Sequence, residues 1–594
     1  MTHDAENPQA IDPETGHAPT PHARPHARPV SPPHSPPPPS DPHDSPTDSP
    51  KNSATAPTPP RPISPLAPLR RAAFRSLWVA ALASNIGTWM HDVGAGWAMT
   101  SLGTSAFMVA LVQAAATTPM FLLSLPAGAF ADVVDRRKLM LAVQAGMLII
   151  AAILAWAAGG GWLTATGLLA ATAGLGIGAA MVNPAWQTAM TDLVPAEELP
   201  SAAALNSISL NLSRAVGPAL GGLLVARLGP SAVFALNAVS FMGIIAALWA
   251  WRYQRPPQAA PAERFLGAMQ AGVRYVRHSP SMRSQLVRTA SFTLFASALW
   301  ALMPLIARRH LDMGPTGYGM LLASLGAGAV AGTFIHARAR ARMTPNAIVV
   351  AATGLSAAAT TTVGLVGVPW IACLAIAGAG VAWVSMVVSL NVAALAGTPG
   401  WVRARALACY FTVFFGGMAI GSATWGSCAD HVGIPSTLFI SSAGLLATLA
   451  TIRRHPLRTP TPEELRFSNH WEDPAVAREI RADDGPVVVT IEYFIQEADT
   501  RNFIDAMGPV SQTRYRDGAF SWTLSRCTHN PRRWLEVFMV ESWAEHLRQH
   551  ARATIADRKI QVRAKRFHVG PDKPRVSHFV AVDVPRGAAV ADVP

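Results

Sequence analysis

The sequence predicts an all-α polytopic membrane protein: twelve transmembrane helices in two six-helix halves, followed by a small C-terminal α+β domain. Three observations carry this prediction. The chain has 594 residues, of which 50% are hydrophobic and 14% charged, with a mean hydropathy of +0.25; soluble domains carry about 25% charged residues. The apolar residues gather into twelve long runs between 77 and 452. The positive charge lies between those runs. Residues 1–68 hold 4 Lys/Arg against 7 Asp/Glu, residues 69–452 hold 22 against 9, and residues 453–594 hold 22 against 19. An excess placed in the most apolar block is what membrane loops produce. It names the lipid bilayer as a partner and leaves no basic block for nucleic acid.

Residues 1–68 contain 21 of the 49 prolines and 6 of the 18 histidines. So few large apolar side chains cannot offset chain entropy by burial, and a disordered tail is expected. The twelve runs follow at 77–101, 107–130, 138–158, 162–184, 201–225, 230–251, 287–307, 315–336, 346–367, 369–392, 404–428 and 434–452. Each approaches the ~20 residues that cross the hydrocarbon core. In lipid the backbone must bond within its own segment, so each run should be a helix. This divides the chain into a six-helix half at 69–252, a linker at 253–286 and a second half at 287–452. With the N-terminus inside, the cytoplasmic loops carry 15 Lys/Arg and the opposite loops only Arg227, Arg308 and Arg309. That asymmetry places both termini in the cytoplasm. In the linker, Phe265, Met269, Val273 and Val276 recur at helical spacing, as in an amphipathic helix on the inner membrane face.

An internal repeat supports the division. SRAVGPALGGLLVARLGPSAVF aligns with GMAIGSATWGSCADHVGIPSTL, matching Gly217, Gly222 and Gly229 to Gly421, Gly426 and Gly433 at one offset of 204 residues. Two six-helix halves related by an axis along the membrane normal are a transporter architecture. Beyond a polar linker at 453–484, residues 485–584 read strand–helix–strand–strand–helix–strand, the split βαβ, ferredoxin-like pattern. Within it, His546 and His550 are one helical turn apart, but Leu547 breaks any H-E-x-x-H pattern, and a surface helix is expected. Four cysteines without a C-x-x-C pair exclude a disulfide scaffold and a cysteine-rich zinc site. No Walker motif, nucleophile–base pair or metal cluster is legible. Neither a cofactor nor a metal is expected, and the chain does not read as an enzyme.

Gly128-Ala-Phe-Ala-Asp132-Val-Val-Asp135-Arg136-Arg137-Lys138, between the second and third runs, resembles the signature loop of the major facilitator superfamily. Val133 and Asp135 depart from its usual Arg and second Gly. Gly217-Pro218-Ala-Leu-Gly221-Gly222 resembles the antiporter motif of the fifth span, with Ser213 where an upstream Gly is usual. The variant with Asp before Arg-Arg is similar to the drug–proton antiporter branch that includes the enterobactin exporter. The C-terminal region resembles dimeric ferredoxin-like proteins of the antibiotic-biosynthesis monooxygenase type, which implies self-association through that domain but no enzyme. The resemblance implies a secondary transporter, coupled to protons, that expels a small organic molecule such as a drug, siderophore or metabolite. A facilitator or importer of the same fold, or a membrane-tethered enzyme or sensor working through residues 485–584, is the alternative.

Site residues follow from charge and placement. Asp132, Arg136 and Arg137 are expected to form a charge latch that holds in one state and releases in the other. Gly217, Gly221 and Gly222 remove side chains so that helices approach closely, and Pro218 frees a backbone carbonyl. Asp92 and Arg214 are the ions near the middle of spans, where each costs about 2.5–3.5 kcal/mol on insertion scales. Asp92 is expected to line the cavity and carry the coupling proton, with Arg214 beside it and His91 as a relay. Trp89, Asn183, Asn206, Asn211 and Asn391 are candidate substrate contacts, with Gln187 beside them and interhelical hydrogen bonding as their competing role.

Overall fold

The computed structural model describes residues 64–251, 265–457 and 461–582, apart from 462, 472, 473, 475, 477 and 478. The Pro/His-rich tail up to residue 63 and linker residues 252–264 lie outside the described residues, so the expected disorder there is not addressed. The first half comprises α1 (Ala72–Ser101), α2 (Ala106–Val133), α3 (Arg136–Gly159), α4 (Ala165–Leu193), α5 (Leu199–Leu228) and α6 (Pro230–Ala250). The linker helix is α7 (Phe265–His278). The second half comprises α8 (Pro280–Leu305), α9 (Pro315–Arg340), α10 (Pro345–Leu365), α11 (Pro369–Ala396), α12 (Arg403–Val432) and α13 (Ile434–Thr448), extended by α14 (Ala450–Arg454). Among the described residues, eleven helices are long and apolar enough to cross a membrane. The twelfth, α1, has 30 residues but carries Asn85, His91 and Asp92 along its middle. Several helices outrun the apolar windows, α4 reaching Leu193 rather than 184. Faces turned inward tolerate polar residues that end a hydropathy run.

The halves repeat each other. In the first, α1 packs on α5 and α6, α2 on α4, and α3 on α4 and α6; in the second, α8 packs on α12 and α13, α9 on α11, and α10 on α11 and α13. The corresponding turns match as well: Gly229 (φ 82°) separates α5 from α6, and Gly433 (φ 81°) separates α12 from α13. Only glycine takes this left-handed conformation without strain. The two glycines therefore mark the same corner of a doubled unit. Across the halves, α2 packs on α12 and α5 on α9, again related pairs.

Burial shows where the halves meet. One core cluster joins both halves: Met90, Val93 and Met99 of α1 and Val109 of α2 pack with Leu299, Leu302 and Met303 of α8 and Leu321 and Leu325 of α9. These residues lie towards the ends of α1 and α8 remote from the Arg136–Arg137 loop. At the loop's own end the clusters separate. One holds Phe74, Leu77, Leu193, Leu205 and Leu248, all from the first half. The other holds Tyr275, Met282, Phe292, Leu390 and Tyr410, from α7 and the second half. The bundle is thus sealed at one end and parted at the end that carries the basic loops.

The C-terminal sheet contains β1 (Val487–Phe494), β2 (Ala519–Arg526), β3 (Arg533–Val540) and β4 (Arg575–Val580), all neighbours antiparallel, in the order β2-β3-β1-β4. Its helices are α15 (Thr500–Asp517), α16 (Trp543–Arg552) and α17 (Ile555–Lys565). The single second helix expected from the sequence is in fact two. Ala553 is extended, and Thr554 restarts the chain with a capping box to Asp557. Phe503, Met507 and Val510 of α15 bury alternate β1 side chains, Val487, Val489, Ile491 and Tyr493. Glu536 faces the same way and is fully buried, bonded to Arg514 (2.9 Å), the Tyr493 hydroxyl (2.9 Å) and the Trp522 indole (3.1 Å). Such a charge is tolerable only because all its partners are present. The expectation of a surface helix at His546 is corrected: His546 is 1% exposed, on the face of α16 turned to the sheet.

The expected apolar stripe of α7 is also revised. Val273 is exposed, while Ala271 and Tyr275 are buried and Gly272 lies against Arg405 of α12; the side chains of Phe265 and Met269 lie outside the described residues. The other side of α7 meets the C-terminal domain. Arg274 pairs with Glu545 (3.0 Å), His278 stacks on Tyr515 (5.1 Å) and Arg516 stands over Tyr275 (5.9 Å). A second contact sets Arg552 over Trp401 (4.3 Å). The linker helix is therefore clamped between the second half and the soluble domain.

Candidate functional site

Asp92 occupies the middle of α1 and is accessible to solvent. One turn on, Gly96 lies against the Tyr318 hydroxyl of α9 and Pro304 of α8. The Asp92 face of α1 therefore turns to the other half, and the Asp92 carboxylate is an electrostatic neighbour of Tyr318. Trp300 lies one turn before Pro304 on α8. Trp300 opens an aromatic wall. It meets Trp383 of α11 (5.3 Å), which meets Phe414 of α12 (5.8 Å) and Phe292 of α8 (6.0 Å). A solvent-accessible acid on α1 and a run of aromatic rings on α8, α11 and α12, both below the sealed end, are the groups that an apolar ligand with a polar group would use.

The neighbours expected for Asp92 stand elsewhere. Arg214 projects from α5 over the Trp89 ring (5.6 Å) and forms no ion pair with Asp92. The expected Asp92–Arg214 pair is therefore not formed, and the arginine is held by cation–π contact. His91 is 2% exposed and packs on Phe234 of α6 (4.9 Å). Consecutive helical residues point about 100° apart, so His91 enters the first-half core while Asp92 faces away from it. Asn206 accepts from the Trp186 indole (3.4 Å), Gln187 donates to Asn183 (3.3 Å) along an exposed face of α4, and Asn211 donates to the Ser207 carbonyl (2.9 Å). Asn206 thus acts between helices, Asn211 acts within its own, and Asn391 is half-buried on α11.

The glycine motif divides its work between two neighbours. A side chain at Gly217 or Gly221 would strike Trp89 or Met90 of α1. One at Gly222 would meet the Pro315 carbonyl (2.8 Å) and Gly319 Cα (2.9 Å) of α9, in the opposite half. Pro218 lends its carbonyl to the same contact, close to Gly319. The loop motif acts inside the first half. Asp135 caps α3 through the Lys138 amide (3.0 Å), Arg136 pairs with Asp192 of α4 (3.2 Å), and Arg137 donates to the carbonyls of Leu248 (2.8 Å) and Trp249 (2.7 Å) at the end of α6. The side chains of Gly128 and Asp132 lie outside the described residues.

Sequence reasoning missed the fastening of the sealed end. Asp430 of α12 accepts from the amides of Ala106 (2.6 Å) and Phe107 (3.0 Å) at the start of α2, where a helix dipole favours an anion. Arg308 donates to Thr100 (3.3 Å) and Ser101 (3.4 Å), and Arg309 to the Thr104 carbonyl (3.2 Å). The available signal was a lone acid ending an otherwise apolar helix. Tyr318 was missed because a tyrosine in a span usually reads as packing.

Two repeated helical halves that meet at one end and part at the other are the architecture of a multi-pass membrane transporter of the major facilitator superfamily, and the family match agrees with a transporter and not an enzyme. The chain belongs to the transmembrane secretion effector family, whose model matches residues 63–586. It is 28% identical over 283 residues to the multidrug efflux pump Tap of Mycolicibacterium fortuitum, covering 45% of this chain and 67% of that pump. It is 26% identical over 409 residues to the enterobactin exporter EntS of Citrobacter koseri, covering 66% of this chain and 95% of the exporter. A solved POT family transporter in complex with a thioalcohol-conjugated peptide shares the fold, with a TM-score of 0.54 at 12% identity, covering 64% of this chain and 95% of that one.

Proposed function

We propose that this chain exports a small organic molecule, of the drug, siderophore or metabolite class, in exchange for protons by alternating access. The observation that carries this reading is Asp92: a solvent-accessible acid in mid-span, on the face of α1 that one turn further on meets Tyr318 and Pro304 of the other half. Both Tap and EntS bear names of export proteins. With the 15 basic residues of the parted end placed in the cytoplasm, the gap between the halves opens inward and is ready to collect cytoplasmic substrate. Release then requires the Gly222–Gly319 contact and the Asp430 fastening to part, while the basic loop around Arg136 and Arg137 closes. The membrane potential supplies about 2.3 kcal/mol per charge per 100 mV, and the pH gradient adds to it.

Inverted vesicles test the reading. An acidified lumen should drive uptake of a fluorescent apolar cation, and a protonophore should abolish accumulation. Uptake that only equilibrates across the membrane, and that the protonophore leaves unchanged, would instead make the chain a facilitator.

Self-association is proposed through the sheet face turned away from the helices, where Leu535 and Phe579 are exposed and Val488, Val537 and Met539 are half-buried. Val537→Lys should convert a detergent-solubilised dimer to monomer by light scattering. An unchanged mass would exclude that face.

A further inference from the structure

The C-terminal domain holds three histidines that the transport reading does not use. His546 and His550 are four residues apart on α16 and share one helix face. His578 lies on β4 opposite Val489, whose side chain faces the helices, so it projects to the same side of the sheet. The rings converge: His546 lies 4.7 Å from His550 and 4.7 Å from His578 between centroids. One nitrogen from each can be chosen so that all three lie within 4.8 Å of one another.

Ordinary core packing does not account for this cluster. Neither ring nitrogen of His546 has a hydrogen-bond partner in good geometry at 1% exposure, Gln549 being the polar side chain near enough to interact with it. Gln549, on the same helix, is fully buried with both amide atoms unpartnered. Buried polar atoms left without partners are rare in folded proteins. Trp543 lies beside His546 (5.4 Å) and Trp471 beside His550 (4.8 Å), so aromatic rings flank the cluster. The cation Arg514, which acts on His546 electrostatically, is itself paired with Glu536 (2.9 Å).

We propose that His546, His550 and His578 bind a divalent transition-metal ion. Three imidazoles without a carboxylate suit zinc, cobalt, nickel or copper rather than magnesium or calcium. Three protein ligands leave one position for water or an exogenous ligand. Zn–N bonds of about 2.0–2.1 Å in a tetrahedron set the nitrogens roughly 3.3 Å apart. Binding therefore closes the cluster by small ring rotations. The site would tie α16 to β4. The residue before His546 is Glu545, which grips Arg274 of the linker helix α7, so the metal would sit on the element that docks the soluble domain to the transporter.

The test uses the full chain in detergent with the tail histidines His3, His17, His22, His26, His34 and His43 changed to Gln, which removes competing ligands. Titration with Co²⁺ alone should give one equivalent with visible d–d bands of a four- or five-coordinate nitrogen site, displaced by Zn²⁺. His578→Gln should weaken binding by more than the roughly 10–100-fold that loss of an outer-shell partner costs. His546→Leu, which fills the pocket with apolar volume, should bind none. Zn²⁺ should raise the melting temperature of the parent, raise that of His578→Gln less at the same concentration, and leave His546→Leu unmoved. Absence of these bands in the parent overturns the proposal, whatever the variants do, and so does an unchanged cobalt spectrum in a variant that still melts cooperatively. Gradient-driven transport is read separately, so failure of the metal site leaves the export reading standing.

Discussion

Gly222→Leu is expected to arrest the transport cycle without unfolding the protein. In the sealed conformation the space beside Gly222 is filled by the Pro315 carbonyl and the Gly319 backbone of α9. Backbone atoms cannot turn aside as a side chain can. Overpacking a tight contact costs about 1–3 kcal/mol, and each 1.4 kcal/mol shifts a two-state ratio about tenfold. The shift should run against the sealed state, the conformation in which this contact is seen. Transport should fall by roughly tenfold or more, while thiol-reactive probes reach the sealed end more readily. Gly222→Ala should give a smaller loss, and so should Gly319→Ala. Since the two glycines meet each other, the double substitution should cost less than the combined single losses. Normal transport by Gly222→Leu would show that this contact does not govern the cycle.

Much of this architecture was legible because lipid permits so few solutions. Backbone groups in hydrocarbon must bond within a helix, so apolar runs named the helices. The repeat around Gly217–Gly229 and Gly421–Gly433 named the doubled unit, and the matched φ angles at Gly229 and Gly433 gave it a physical form. The partners of individual side chains were not legible. Arg214 and Asp92 are both mid-span ions, and opposite charge made pairing the natural expectation; the Trp89 ring, also on α1, holds the arginine instead. His91 and Asp92 adjoin in sequence yet point to different compartments of the bundle. Asp430 acts on amides 324 and 323 residues away, and His578 meets α16 across a sheet. Such contacts depend on how helices and strands are brought together, which periodicity alone does not encode.

Asp92→Asn separates a structural role from a coupling role. An ionised carboxyl in mid-span costs about 2.5–3.5 kcal/mol on insertion scales, and Arg214, the other mid-span ion, is engaged with Trp89 rather than with Asp92. If the residue served packing alone, the isosteric amide would serve it as well, with stability equal or greater. The variant is therefore expected to be at least as thermostable as the parent. It should still exchange labelled for unlabelled substrate across the membrane, since the halves can rock without a proton. It should fail to accumulate substrate against a gradient, losing nearly all of the pH-driven uptake. Asp92→Glu should recover part of that uptake, and Tyr318→Phe should shift its pH dependence without abolishing it, because the hydroxyl lies near the carboxyl but carries no proton through the cycle. The contrast between intact exchange and lost accumulation is the decisive readout. A variant that concentrates substrate as the parent does would remove Asp92 from the coupling step, even though its position in mid-span would be unchanged.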